Sequence, residues 1–147
     1  MSAAGSTMFC GIDPGRFKIG VAFADGSRLL FSAIVPKAEE DALCGALRSG
    51  VWGALDAWRR EGSVSDIEGR ALDGIYIGDG TSSGELRGKL ADLNPEIVNE
   101  YGTTLVGRAL YWKLHPPAGL WRLVPVSLRT PPRDIDDLAA FCIITRR

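Results

Sequence analysis

The chain has 147 residues, of which 46% are apolar and 24% charged, with a formal net charge of −1. That length suits one domain with its own core. The near-neutral total leaves no overall basic field, so any contact with nucleic acid has to come from a local patch. No apolar run approaches the roughly 20 residues of a membrane span.

Residues 1–7, Met1-Ser2-Ala3-Ala4-Gly5-Ser6-Thr7, lack the positive start and apolar centre of a signal peptide. A flexible tail is expected there, followed by a single domain over residues 8–147. Cys10, Cys44 and Cys142 are scattered through apolar segments with no metal-ligand spacing. They read as reduced core thiols, which implies a reducing, cytoplasmic setting.

In chain order, Met8 to Ile12 is a continuous apolar run, the mark of a buried strand. Phe17, Ile19, Val21 and Phe23 then alternate with smaller or polar residues, the period of a second strand. Pro14-Gly15-Arg16 joins the two as a hairpin turn. Asp25-Gly26-Ser27 is a further turn into a third strand, Leu29 to Val35, so the three form an antiparallel meander.

Beyond Pro36 the period lengthens. Leu43, Leu47, Val51, Leu55 and Trp58 recur every three or four residues and predict one long helix. Acids at Glu39, Glu40 and Asp41 open it, Arg59 and Arg60 end it, and Gly62 closes it. Ser63 to Arg70 is a polar connection. Leu72 to Gly78 predicts a short buried strand ending at Asp79-Gly80. Ser82 and Glu85 predict a capping box for a helix carrying Leu86 and Leu90. Ile97-Val98 predicts a strand ending at Asn99-Glu100, and Thr103 or Thr104 caps the next helix. Trp121 to Pro132 is interrupted by proline and expected to be extended. Asp134 is placed to cap a last helix running to about Ile143. The expected architecture is α/β, a mixed five-stranded sheet with helices on both faces.

Asp13, Asp79 and Glu100 each end a predicted strand. Sites in such sheets form beyond the carboxyl ends of the strands. A further acidic group, Asp134-Ile135-Asp136-Asp137, opens the last helix. Singly, each acid is more often a turn or cap residue than a ligand, and only the joint pattern points to a site. Converging together they would repel, and all-oxygen donors of this kind suit Mg²⁺ or Mn²⁺.

The segment Gly11-Ile12-Asp13-Pro14-Gly15-Arg16-Phe17-Lys18-Ile19-Gly20-Val21-Ala22 resembles the opening of the RuvC/YqgF-like Holliday-junction-resolvase family, which has a ribonuclease H-like fold. Asn99-Glu100-Tyr101-Gly102-Thr103-Thr104 resembles that family's second motif, with Asn99 where an acid is usual. Ile135-Asp136-Asp137-Leu138-Ala139-Ala140 resembles its final helix. The resemblance implies a metal-dependent endonuclease acting on branched DNA or structured RNA, in recombination or in rRNA processing, and a possible homodimer. It implies two Mg²⁺ or Mn²⁺ ions held by Asp13, Glu100 and Asp136, with Asp137 or Asp134 as substitutes and Asp79 assisting.

Phosphate contacts are expected from Arg16, Lys18, Arg108, Arg129 and Arg133. The loop Gly78 to Gly84 is glycine-rich but lacks the closing Gly-Lys-Ser/Thr of a phosphate-binding P-loop. The single histidine, His115, argues against Ser-His-Asp hydrolysis and a His-rich zinc site. Two other readings stay open: a non-catalytic scaffold of the same fold, and a nucleotide-binding relative of the actin and sugar-kinase ATPase domains.

Overall fold

The structure is a computed structural model that describes residues 8–80, 82–99, 102–125 and 130–146. Its centre is one mixed sheet. Strands β1 (Phe9–Pro14), β2 (Lys18–Asp25) and β3 (Arg28–Pro36) form the antiparallel meander expected from their alternation. Strands β5 (Gly74–Gly78) and β6 (Glu96–Val98) add in parallel on the far side of β1. A short strand β4 (Arg59–Gly62) pairs antiparallel with β3, so the order is β4-β3-β2-β1-β5-β6.

The helices are α1 (Glu40–Ser49), α2 (Ser83–Lys89), α3 (Thr103–Leu114) and α4 (Asp136–Arg146). One sheet face, with Cys10, Ile12, Ile19, Val21 and Phe23, packs on Leu43, Cys44 and Leu47 of α1 and on Leu86 of α2. The opposite face is lined by Ala22 and Ala24, and α4 covers it with Ala140, Phe141 and Ile144. This is a ribonuclease H-like α/β sheet: a meander whose first strand is extended by parallel strands, with helices on both faces.

Four expectations need correction. The long helix over Leu43 to Trp58 does not form. Gly50 takes a left-handed conformation (φ 72°) and its N–H donates to the Ala46 carbonyl, which ends α1 as an αL cap. The chain continues as a 3-10 turn over Gly53–Trp58 and then becomes β4, so the sheet has six strands and not five. The apolar spacing had survived the break because Leu55 of the 3-10 turn is also fully buried.

Second, Ser82 makes no capping hydrogen bond; a capping box instead joins Ser63 and Asp66, within the polar connection. Third, α4 starts at Asp136, and the Leu138 and Ala139 amides donate to the Ile135 carbonyl. Asp134 is turned to another partner. Fourth, the stretch from Trp121 to Pro132 is not extended at its start, where a 3-10 turn spans Gly119–Leu123; residues 126–129 lie outside the described residues.

The three thiols are free and buried, and burial pushes the Cys142 thiol up to about 11. Among the described residues no helix is long and apolar enough to cross a membrane.

A candidate carboxylate cleft

Two glycines decide where the site sits. Asp13 lies opposite Gly20, and Gly11 lies opposite Ala22, across the β1–β2 pair. Opposed residues in antiparallel strands project to the same face. A Cβ on Gly20 would fall 2.9 Å from the Asp137 amide nitrogen and closer still to the Asp136 carbonyl. A Cβ on Gly11 would fall 2.7 Å from Ile144 Cγ1 and collide with the Ala140 carbonyl. Without these side chains α4 lies directly on β1 and β2.

The register then follows from pitch. Two strand residues advance about 6.6 Å, and four helical residues about 6 Å. Stepping forward from Gly11 to Asp13 therefore matches stepping back from Ala140 to Asp136. Asp13 and the start of α4 arrive at the same end of the sheet.

Both line one cleft of about 840 Å³. Lys18, Arg60, Thr104, Arg108, Arg133 and Asp134 also line it, with the 130–132 segment as one wall. Lys18 is two residues from Gly20 on β2 and so shares its face. Its Nζ sits 2.5 Å from Asp134 Oδ2 and 3.4 Å from Asp136 Oδ2. The hydrogen bond to Asp134 holds the ammonium above its usual range, and the same bond holds the Asp134 carboxyl below its own. The cleft thus pairs carboxylates on its floor with cations on its walls.

Behind the cleft lies a polar network that fixes α4. Asp137 is fully buried. Ser32 Oγ donates to its Oδ2 at 2.6 Å, and Arg133 donates to its two oxygens at 2.8 and 3.3 Å. Arg133 Nη2 also donates to Glu61 Oε2 at 2.7 Å, and His115 Nε2 lies 2.7 Å from the same oxygen. The Arg133 guanidinium stands over the Tyr111 ring, which stacks on His115. One arginine so joins β4, α3 and α4 and supplies the charge that a buried carboxylate requires.

Of the residues singled out in the sequence, Asp13, Asp136, Lys18, Arg108 and Arg133 come together at the cleft. Asp137 does not line it; its oxygens are engaged by Ser32 and Arg133. Asp79 is exposed at the end of β5, where its N–H donates to the Val98 carbonyl, and is not among the lining residues. Arg16 is exposed on the β1–β2 turn beside the cleft. Glu100 and Arg129 lie outside the described residues. Arg60, Thr104 and Thr130 join the lining without having been assigned to a site. Arg60 was hidden by its apparent place at a helix end; β4 is what carries it to the cleft.

Among the described residues no group of three or more His, Cys, Asp or Glu is close enough to hold a metal ion. Asp13, Asp134 and Asp136 are the described carboxylates lining the cleft, no His or Cys lines it, and Asp134 is drawn to 2.5 Å from Lys18 Nζ, so Asp13 and Asp136 form the candidate donor pair. Mg²⁺ is commonly bound through one or two carboxylates, with waters and substrate phosphates completing its octahedron. The pair therefore fits a hard divalent cation and does not fit zinc.

No protein-family model matches the sequence, and no curated protein matches it. Among solved structures, the chain is similar to RuvC of Thermus thermophilus. The identity is 18%, covering 95% of this chain and 92% of that one, with a TM-score of 0.44. A structure of T. thermophilus RuvC in complex with a Holliday junction substrate matches at 15% identity over 95% of this chain and 92% of that one, again at 0.44. A ROK hexokinase from the same organism matches at 18% identity over 69% of this chain and 38% of that one, at 0.41. Likenesses of this size carry nothing about activity.

Proposed function

We propose that the protein is a divalent-metal-dependent nuclease that hydrolyses phosphodiester bonds at the cleft between β1 and α4. The observation that carries this reading is the seating of α4 against Gly11 and Gly20, with Asp13 and Asp136 lining one cation-walled cleft. Asp13 and Asp136 would hold the metal through carboxylate oxygens. Glu100 would complete the set, in keeping with the motif resemblance, and a second ion would depend on it. When bound, Mg²⁺ or Mn²⁺ supplies a water of lowered pKa and stabilises the departing 3′ oxygen.

The chain's own residues do the rest. Lys18, Arg60 and Arg108 attract and orient the phosphodiester, whose negative charge their side chains balance. Lys18 also pairs with both Asp134, just before α4, and Asp136, its first residue, which offsets the repulsion between the two acids. Arg133 is tied to Asp137 and Glu61, so its contribution is to hold the start of α4 in register with Asp13. The substrate is proposed to be branched DNA or structured RNA.

A cleavage screen tests the reading. Four-way DNA junctions, single-stranded RNA and structured rRNA precursors are incubated with Mn²⁺ and either wild type or Asp13→Asn. Cleavage of at least one substrate by wild type alone is expected. Equal activity of the two proteins, or equal inertness on every substrate, overturns it.

A further inference from the structure

The β1–β2 turn holds an aromatic ring that the proposed hydrolysis leaves unused. Phe17 is 79% exposed, although it sits beside some of the most buried strand residues of the chain. Its backbone is fixed. The Phe17 carbonyl accepts from the Lys37 N–H at 2.9 Å, and the Gly15 N–H donates to the Lys18 carbonyl at 3.0 Å. Gly15 has no room for a side chain, because a Cβ there would lie 2.5 Å from that same Lys18 oxygen. The turn therefore presents the ring to water from a rigid mount.

The neighbours of the ring say what would cover it. Arg16 on one side is exposed, and Lys18 on the other lines the cleft together with Asp13. An apolar protein surface would have to bury two cations along with the ring. A nucleic-acid strand offers both cations a phosphate and the ring a base face, and base–aromatic stacking tolerates any sequence. A paired base in a duplex has no free face for it.

We propose that Phe17 stacks on an unpaired base adjoining the phosphate held in the cleft, and so selects nucleic acid whose bases are splayed or single-stranded. This rests on the nuclease reading above and adds a specificity residue to it. The backbone that carries the ring is fixed before binding, so only the side-chain torsions of Phe17 remain to be ordered.

The test is fluorescence anisotropy in Mg²⁺ with Asp13→Asn as the parent, so that no cleavage intervenes. The probes are a labelled single-stranded oligonucleotide and the matching perfect duplex. Adding Phe17→Ala is expected to weaken single-strand binding about 5- to 150-fold and to leave the duplex within about twofold. Phe17→Trp should restore the parent's affinity, and Phe17→Leu should behave like Phe17→Ala. All three should melt close to the parent, since the ring is already largely exposed in the folded protein. If Phe17→Ala or Phe17→Leu binds single strand as the parent does, the ring does not stack on a base and the inference falls while the nuclease reading stands. If the parent binds neither probe and wild type cleaves nothing, both fall together.

Discussion

Replacing Gly20 with alanine probes the contact that builds the cleft. In open space, Gly→Ala in a strand is mildly favourable, by about 0.5–1 kcal/mol. At Gly20 the new methyl meets backbone only: the Asp136 carbonyl and the Asp137 amide, the latter at 2.9 Å. No side chain can rotate away, so the start of α4 has to retreat by roughly 1 Å or more to reach ordinary contact, and overpacking of this kind costs about 1–3 kcal/mol. The clash outweighs the intrinsic gain. A clash with backbone sits in the upper part of that range, so the net loss is about 1–2.5 kcal/mol, and at about 2–4 °C per kcal/mol for a chain of this size a fall of roughly 2–10 °C is expected in a calorimetric scan. Stabilisation by Mn²⁺ should weaken in step, because Asp136 moves with the helix. Gly45→Ala, in the middle of α1 with nothing within 4 Å, serves as the control and should raise the melting temperature. A Gly20→Ala protein that melts with wild type and keeps its full Mn²⁺ response would refute the seating of α4 on β2.

Arg133→Met leaves Asp137 buried without its cation, and urea unfolding should show a loss of about 3 kcal/mol. Arg133→Lys should recover little of it, because one ammonium cannot span Asp137 and Glu61 as the guanidinium fork does. Burial alone would push the Glu40 carboxyl up, but hydrogen bonds from Lys37 and Lys89 outweigh it and hold that carboxyl below its ordinary value. Its contribution to stability is therefore present above the unfolded pKa, near 4.3, and is lost as pH falls through the lower folded value. Glu40→Gln should flatten this acid limb in melting scans from about pH 5 downward. Arg60→Ala should weaken nucleic-acid binding for all sequences alike and reduce the slope of log affinity against log salt by about 1.

The meander was legible in the sequence because its apolar period is strict, and the last helix because acids open an unbroken apolar run from Leu138 to Ile144. Ile19, Val21 and Phe23 alternate inward, and Pro14-Gly15 permits only a tight reversal. The break at Gly50 was harder to see, since Leu43, Leu47 and Leu55 are all buried and keep helical spacing across it. With that break went β4, and with β4 went Arg60 and Glu61. At the site, Asp13 stood out as an acid where an apolar run ends, and Asp136 as one of the acids that open the last helix, singled out by the motif resemblance. The division of labour between Asp136 and Asp137 did not. Adjacent residues on a helix point about 100° apart, and only the partners across the sheet, Ser32 and Arg133, show which acid is turned into the protein. Gly11 and Gly20 stand in the sequence only as small residues within strands, and their role depends on the helix laid against them.

Calorimetric titration of the protein with Mn²⁺ tests most directly whether Asp13 and Asp136 form one metal centre. Wild type should bind Mn²⁺ with a saturable heat that Asp13→Asn and Asp136→Asn each abolish, while Asp137→Asn, whose side chain faces away from the cleft, retains it. Equal binding by wild type and both cleft variants would contradict the account.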